Sequence, residues 1–524
     1  MPNRLAIVPA QTKQFAPRTF AELYSDTSRC AEKLRNAGLQ KGDKSLLFVK
    51  PGYDLIVLAF GMIHLGVIPI IIDPGMGIKS VLSCIRTTKP NFLVGIPLVC
   101  WLSNFFPRAF SSIDGRLKIR SSSFRKEIVT PSIAWTPPVQ SSQSDLAAIV
   151  FTSGSTGKPK GVRYLHKTFN AQVYTLKKYF NMQVGEIDLA TLPIFALFNP
   201  ALGITTIIPE MNPRKPALAN AEKLVQAIQK FGVTSAFASP VVGRKIQQWC
   251  TQHAITLPSM KRIFLAGAPS TPNLIEKLSK ILCKGKVYLP YGATEALPVA
   301  QCMSEEIAIN KKSIEGGAGS LLGSAISGVS VSIFPISRAP FSEDVQELKG
   351  GEVGEICVSG DIVSDGYYKM PGATMDARFK YDGRIFHRMG DLGYYDKFGQ
   401  LRFLGRKAER IITENGPLET ERCEPVVNAL EGVRRSALIG IGSDHAKEPC
   451  IVIELEDEKL DKKILQNSIR QSILSVFPSL EIKRIFWERS IPVDSRHNAK
   501  IHRLKLTKKW NGIVSKYSKA GLIE

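Results

Sequence analysis

The chain has 524 residues, 44% of them apolar, which at roughly 100–200 residues per domain means two to four domains with ample core. Lys and Arg number 69 against 46 Asp and Glu, a formal charge of +23 that favours anionic partners such as nucleotides or acidic lipid. The basic residues are scattered, densest in KIHRLKLTKKW (500–510), and no basic run is interleaved with aromatics, so no nucleic-acid partner is expected and a peripheral contact with an anionic membrane stays open. Nine cysteines stand singly, without a CxxC pair, which argues against a zinc ribbon or a disulfide framework and for a reducing compartment. The start, MPNRLAIVPAQTKQ (1–14), holds no apolar stretch of signal-peptide length, so the expected location is cytoplasmic.

In chain order, AELYSDTSRCAEKLRNAG (21–38) reads as an amphipathic helix and KSLLFV (44–49) as a buried strand. LIVLAFGMIHLGVIPIII (55–72) reaches the lower length limit of a membrane span, but His64 lies within it and Pro69 interrupts it. It reads instead as a buried helix followed by a short apolar strand, as a covered parallel sheet requires. AAIVFT (147–152), TSAFAS (234–239), RIFLAG (262–267) and KVYLP (286–290) are further strands, and LANAEKLVQAIQKFG (218–232) is a helix between them. This alternation predicts an α/β fold of stacked mixed or parallel sheets wrapped by helices. From about residue 320, GVSVSIFPI, GEVGEICVSG and GRIFHRMGDLGYYDKFGQLRFLGR have the Gly-rich turns and short alternating strands of an antiparallel meander or a small β-barrel-like part. After LGRKA (404–408) the chain returns to a mixed pattern, which divides it into a large domain, 1–404, and a small mobile α+β domain, 405–524.

The stretch FTSGSTGKPKGVRYLH (151–166) follows a buried strand. Gly154, Gly157 and Gly161 permit unusual backbone conformations and a close approach of phosphate oxygens to amides. Thr152, Ser153, Ser155 and Thr156 add hydroxyl donors, and Lys158 and Lys160 add positive charge. It is not a Walker loop, because two residues rather than four separate Gly154 from Gly157 and Lys158 precedes a proline. A Gly/Ser-rich surface turn is the competing reading.

TSGSTGKPKG resembles the signature loop of the adenylate-forming enzymes: acyl-CoA synthetases, peptide-synthetase adenylation domains and luciferases. YGATEALP (291–298) resembles their aromatic-Gly-x-Thr-Glu motif and AGAP (266–269) the strand end lining an adenine pocket. GDLGYYD, with Asp391, and LGRKAERI, with Arg406, resemble the ribose and hinge motifs, and HNAKIHRLKL resembles the motif of the catalytic lysine, here Lys500. The resemblance implies ATP and Mg²⁺ as cofactors. It implies Thr152, Ser153, Gly154, Ser155, Thr156, Gly157 and Lys160 around the departing phosphates. It implies Gly267, Ala268, Tyr291 and Gly292 at the adenine, and Asp391 and Arg406 at the ribose. Thr294 would bind the α-phosphate, Glu295 the metal, and Lys500 the charge that builds as carboxylate meets α-phosphate.

Three positions depart from the family pattern: Ala196 where a His is common, Ala408 where the hinge often has Asp, and Ala499 before the lysine in place of Gly. The Ala408 change weakens the expectation of a domain rotation that opens a thioester-forming pocket. IIDPGMG, FALFNPALG, FASP, YGATEALPVA, RMGDLGYYD and RHNAKI resemble the β-lactone synthetases of olefin biosynthesis more than fatty acyl-CoA ligases. That resemblance implies adenylation of a long-chain 3-hydroxy fatty acid and closure of a β-lactone with release of AMP. Acyl-CoA or acyl-AMP ligation is the alternative within the class, and an inactive nucleotide-binding scaffold in an assembly of lipid-pathway enzymes is the alternative outside it. The acyl pocket is expected near 195–201, 237–241 and 297–299, and His166 is expected to be structural.

Overall fold

The computed structural model describes residues 1–11, 14–130, 137–152, 158–443, 446–494 and 500–519. Thr19 caps the first long helix, Phe20–Asn36: its hydroxyl accepts from the Glu22 amide while the Glu22 carboxylate accepts from the Thr19 amide. Two amides without an intrahelical partner are satisfied in this way. The apolar run at 55–72 resolves into helix Tyr53–Leu65, ended by Gly66 at φ 73°, and strand Ile68–Ile71. A helix of 13 residues falls short of the roughly 20 that a bilayer needs. Among the described residues no helix is long and apolar enough to cross a membrane.

Two sheets carry the body. In the six-stranded sheet the order is Gly115–Lys118, Phe92–Gly95, Lys44–Phe48, Ile68–Ile71, Leu146–Thr152 and Lys160–Leu165. Its first five strands are parallel and the last is antiparallel to its neighbour. Apolar clusters cover both faces, which is why the inner strands read as continuous apolar runs. In the second, 14-stranded sheet, Thr205–Ile208, Ile187–Leu189, Ser235–Ala238, Arg262–Leu265 and Lys286–Ala293 lie side by side and parallel. Their carboxyl ends form one edge, the place where open α/β sheets present their ligand-binding loops.

The glycine-rich strands after residue 320 do not close into a barrel. Ser320–Ala325 pairs with Ala296–Met303 on one side and Leu401–Arg406 on the other, and so prolongs the second sheet. Arg384–Tyr395, Gly354–Ser359 and Ser330–Phe334 follow outward, and Ser330–Phe334 ends the order as an edge. Composition marks an antiparallel meander in either case; pairing of the first strand with the body decides between an open sheet and a barrel.

Beyond residue 410 a hairpin, Ile411–Thr413 with Gly416–Leu418, leads into a smaller C-terminal domain. Its three-stranded sheet, in the order Val433–Ser443, Ala446–Leu455 and Arg484–Trp487, is covered by helices Thr420–Asn428, Lys462–Val476 and Arg503–Lys519. All nine cysteines are free thiols, and only Cys283 is exposed.

Candidate active site

Leu146–Thr152 and Lys160–Leu165 form an antiparallel hairpin in which Thr152 pairs with Lys160. The register fixes where the loop between them begins and ends; Ser153, Gly154, Ser155, Thr156 and Gly157 lie outside the described residues. Gly161 is needed for packing rather than for a special φ: a Cβ there would stand 2.9 Å from the Phe151 ring. The Lys160 ammonium lies 4.8 Å from the centre of the Tyr367 ring, a cation–π distance.

Tyr367 joins this hairpin to a second one. Lys286–Ala293 and Ala296–Met303 are antiparallel, with Ala293 opposite Ala296, so Thr294 and Glu295 form the tip. The tip is held at three points: Tyr164 donates to the Thr294 carbonyl (2.6 Å), the Ser364 amide to the Glu295 carbonyl (2.8 Å), and the Tyr367 hydroxyl to Glu295 Oε1 (3.0 Å). A Cβ on Gly292 would lie 2.6 Å from the Ala296 carbonyl, so the tight turn requires glycine. Among the described residues no group of three or more His, Cys, Asp or Glu side chains is placed to hold a metal alone. A single carboxylate with neighbouring phosphates is the donor set Mg²⁺ commonly takes, and Glu295 fits it.

A third cluster forms where Arg384–Tyr395 pairs with Leu401–Arg406, with Asp391 opposite Arg406. Asp391 is buried, accepts from the Tyr291 hydroxyl on Oδ2 (2.7 Å) and lies 2.9 Å from Arg406 on Oδ1. Arg406 Nη1 donates to the Met389 carbonyl (3.2 Å), so Oδ1 is at ion-pair distance yet has no well-directed donor among the described residues. Burial pushes the Asp391 carboxyl above its usual range, while Arg406, Tyr291 and Lys500 pull it back. Asp391 in turn raises Arg406 above the usual arginine range.

Lys500 reaches the same cluster from the C-terminal domain. Its amide donates to Asp494 Oδ1 and its carbonyl accepts from the Asp494 amide, both at 2.9 Å, which fixes the strand-like return that presents the lysine. Burial lowers the Lys500 pKa and Arg406 lowers it further, against Glu409, Asp391 and Asp494. Ala499 and His497 lie outside the described residues.

Gly267 and Ala268 follow strand Arg262–Leu265 on the carboxyl edge, and Gly267 takes φ 101°. The aromatic residues expected around an acyl pocket pack on one another. Phe195 stacks on Phe237 (4.6 Å) and Phe237 on Phe264 (4.2 Å). Ala196 faces elsewhere, into a 40 Å³ cavity it shares with Ile56, Ile208 and Met211. This cavity adjoins an open 670 Å³ cleft that also takes in Ile208 and Met211 and is lined by Lys50, Asp54, Arg125, Glu210 and Lys223 as well as by Phe15, Tyr53 and Leu218. His166 starts helix His166–Tyr179, and burial lowers its pKa.

Two residues at the site were not foreseen from the sequence. Tyr367 sits in SDGYYKM (364–370), where two tyrosines follow Gly366; that glycine at φ 133° was the one available signal. His387 is buried 6.4 Å from the Tyr367 ring, and burial beside Arg378 and Lys160 pushes its pKa down to about 3, so it is neutral.

A family model described as AMP-binding enzyme matches residues 1–368. The chain belongs to the AMP-binding enzyme family. Membership makes it an AMP-forming ligase of the adenylate-forming class. It is 37% identical over 500 residues to an olefin beta-lactone synthetase of Stenotrophomonas maltophilia, covering 93% of this chain and 90% of the relative. It is 36% identical to an olefin beta-lactone synthetase of Xanthomonas campestris with the same coverage. A 2-succinylbenzoate–CoA ligase of Geobacillus, another family relative, is 24% identical. Among solved structures, ATP-bound MatB from Rhodopseudomonas palustris aligns with a TM-score of 0.81 at 21% identity, covering 98% of this chain and 97% of that one. At that identity the likeness bears on the fold alone.

Proposed function

We propose that this enzyme adenylates a long-chain 3-hydroxy fatty acid with ATP and then closes a β-lactone, with Lys500, Glu295 and Thr294 as the catalytic residues. The observation that carries the adenylation reading is the convergence of Lys500 on Asp391 and Arg406, with one buried Asp391 oxygen lacking a directed donor. A ribose hydroxyl is a suitable donor for that oxygen beside the Arg406 charge. The identity to olefin beta-lactone synthetases supports the second step.

In this reading Thr152, Ser153, Gly154, Ser155, Thr156, Gly157 and Lys160 hold the β- and γ-phosphates. Gly267, Ala268, Tyr291 and Gly292 surround the adenine, and Asp391 backed by Arg406 takes the ribose. Glu295, oriented by Tyr367, would hold Mg²⁺, which when bound neutralises charge between phosphates. A substrate carboxylate oxygen attacks the α-phosphorus, and the bond to pyrophosphate breaks. Lys500 offsets the negative charge that builds on the oxygens between the two reactants. The 3-hydroxyl oxygen then attacks the acyl carbonyl, its proton leaves to solvent, and the acyl–phosphate bond breaks to release AMP. The alkyl tail runs past Ala196 and Met211, and residues 405–524 act as the lid that brings Lys500 in.

Incubation with ATP and Mg²⁺, with a long-chain acid or its 3-hydroxy analogue, with and without CoA, tests this by product mass. The expected product forms only from the hydroxy acid, needs no CoA and is lighter than the acid by one water. A thioester from the plain acid would assign the protein to the CoA ligases.

A further inference from the structure

Helix Pro97–Leu102 and the turn Ser103–Phe105 that continues it are amphipathic in the reverse of the usual sense. Leu98, Trp101, Leu102 and Phe105 recur at i, i+3, i+4 and i+7, the spacing of one helix face. That face points to solvent: their exposures are 58%, 56%, 40% and 60%. The Trp101 and Phe105 rings meet edge-on at 4.7 Å, so the face is a continuous patch rather than scattered side chains. The opposite face is fixed to the body. Cys100 and Ser103 are buried, Ser103 accepts from Arg116 Nε (3.0 Å), and the following Ala109, Phe110 and Ile113 enter the core.

The patch has a basic surround. Between 97 and 126 there are six Arg and Lys and one acid, Asp114. Arg108 is exposed three residues beyond Phe105, and Arg116 and Lys118 project from the neighbouring edge strand Gly115–Lys118. Arg108, Arg116, Lys118 and Arg120 form no ion pair among the described residues. An exposed apolar patch of this composition, with Trp at its centre and cations at its rim, matches the interface of a bilayer: aromatic and aliphatic groups enter the headgroup layer while basic groups meet anionic lipid. Gly115–Lys118 is also the edge of the six-stranded sheet opposite the hairpin Leu146–Thr152/Lys160–Leu165, so docking there leaves the phosphate-loop side uncovered.

We infer that Leu98, Trp101, Leu102 and Phe105, with Arg108 and Lys118, form a peripheral docking surface for an anionic lipid bilayer. The apolar groups supply insertion, and the cations supply selectivity for acidic headgroups and sensitivity to salt.

Co-sedimentation of the full chain with vesicles of phosphatidylglycerol and phosphatidylcholine, and with phosphatidylcholine alone, tests this. Wild type is expected to sediment with the anionic vesicles, and less so in high salt. Combining Leu98→Ser, Trp101→Ser and Phe105→Ser should weaken binding about tenfold or more, as should Arg108→Glu with Lys118→Glu. Unchanged melting temperature and unchanged ATP-dependent AMP release in both variants show that the fold is kept. The inference is overturned if wild type ignores anionic vesicles, or if both variants sediment as wild type does. It is equally overturned if the serine variant abolishes a wild-type dimer in sedimentation velocity without affecting lipid binding, because the patch is then a protein interface.

Discussion

Two buried arginine clusters lie on either side of the turn Lys407–Glu409, and they are built to opposite specifications. Arg503 is saturated. Its Nη1 binds Glu409 (2.8 Å), its Nε and Nη2 bind Glu424 (2.7 and 2.5 Å), and Glu421 lies 3.9 Å away, itself accepting from Ser320 (2.7 Å). Arg406 has one carboxylate, Asp391, and leaves an oxygen of that carboxylate without a directed donor. The closed cluster fastens the C-terminal domain to strand Ser320–Ala325; the other keeps a carboxylate oxygen that meets Arg406 by charge alone. Glu409 belongs to the first cluster and bears electrostatically on Arg406 and Lys500 in the second. Lys407, beside it, is held by Glu355 at 2.9 Å, while Ala408 between them is exposed and makes no such contact.

The largest effect that would break this contrast is on Arg503. Arg503→Met should cost about 3–5 kcal/mol of stability in denaturant titration, because it strands buried carboxylates. Retained stability with lost turnover would show that the two arginines have each other's roles. Next, Lys500→Ala should slow pyrophosphate release about 10²–10³-fold with the melting temperature unchanged; near-normal release would remove the lysine from the mechanism. Asp391→Asn should raise the KM for ATP by a factor worth about 1.5–3 kcal/mol, and leave binding of the acid alone unaffected.

A smaller effect is expected from pH. Burial and Glu424 push the Glu421 pKa up to about 7. The unfolded chain ionises this group in the ordinary carboxylate range, so between there and pH 7 only the folded state keeps the proton. Stability therefore falls as pH rises through that window. Glu421→Gln should flatten the slope and stabilise the protein above pH 7 by on the order of 1–2 kcal/mol; an unchanged slope would assign the proton elsewhere. The smallest effect is on specificity. Met211→Trp, between the two cavities, should lower kcat/KM for long acyl chains more than for short ones, by about 1–3 kcal/mol. Equal losses at every chain length would place the tail elsewhere.

Much of the candidate site was legible because each motif sits at the end of a strand whose apolar run is itself legible. LAAIVF leads to the loop, RIFL to Gly267 and Ala268, and the 286–293 strand to Thr294 and Glu295. Tyr367 escaped because its meaning depends on Glu295, 72 residues earlier, and Lys160, which no local pattern connects to it. The saturated Arg503 cluster escaped likewise, since its partners lie 79 and 94 residues away. The choice between meander and barrel was not legible because strand composition reports that a segment is in a sheet, not which strand it adopts as a neighbour.

The amino-acid order alone determined the strands, their sequence along the chain and the residue types at the candidate site, because backbone preference and apolar periodicity are local properties. Tertiary structure decided which charges are completed and which are left open. Arg503 and Arg406 are the same residue type in the same basic chain. Only the burial and the neighbours that folding supplies make one a fastening and the other part of the candidate site.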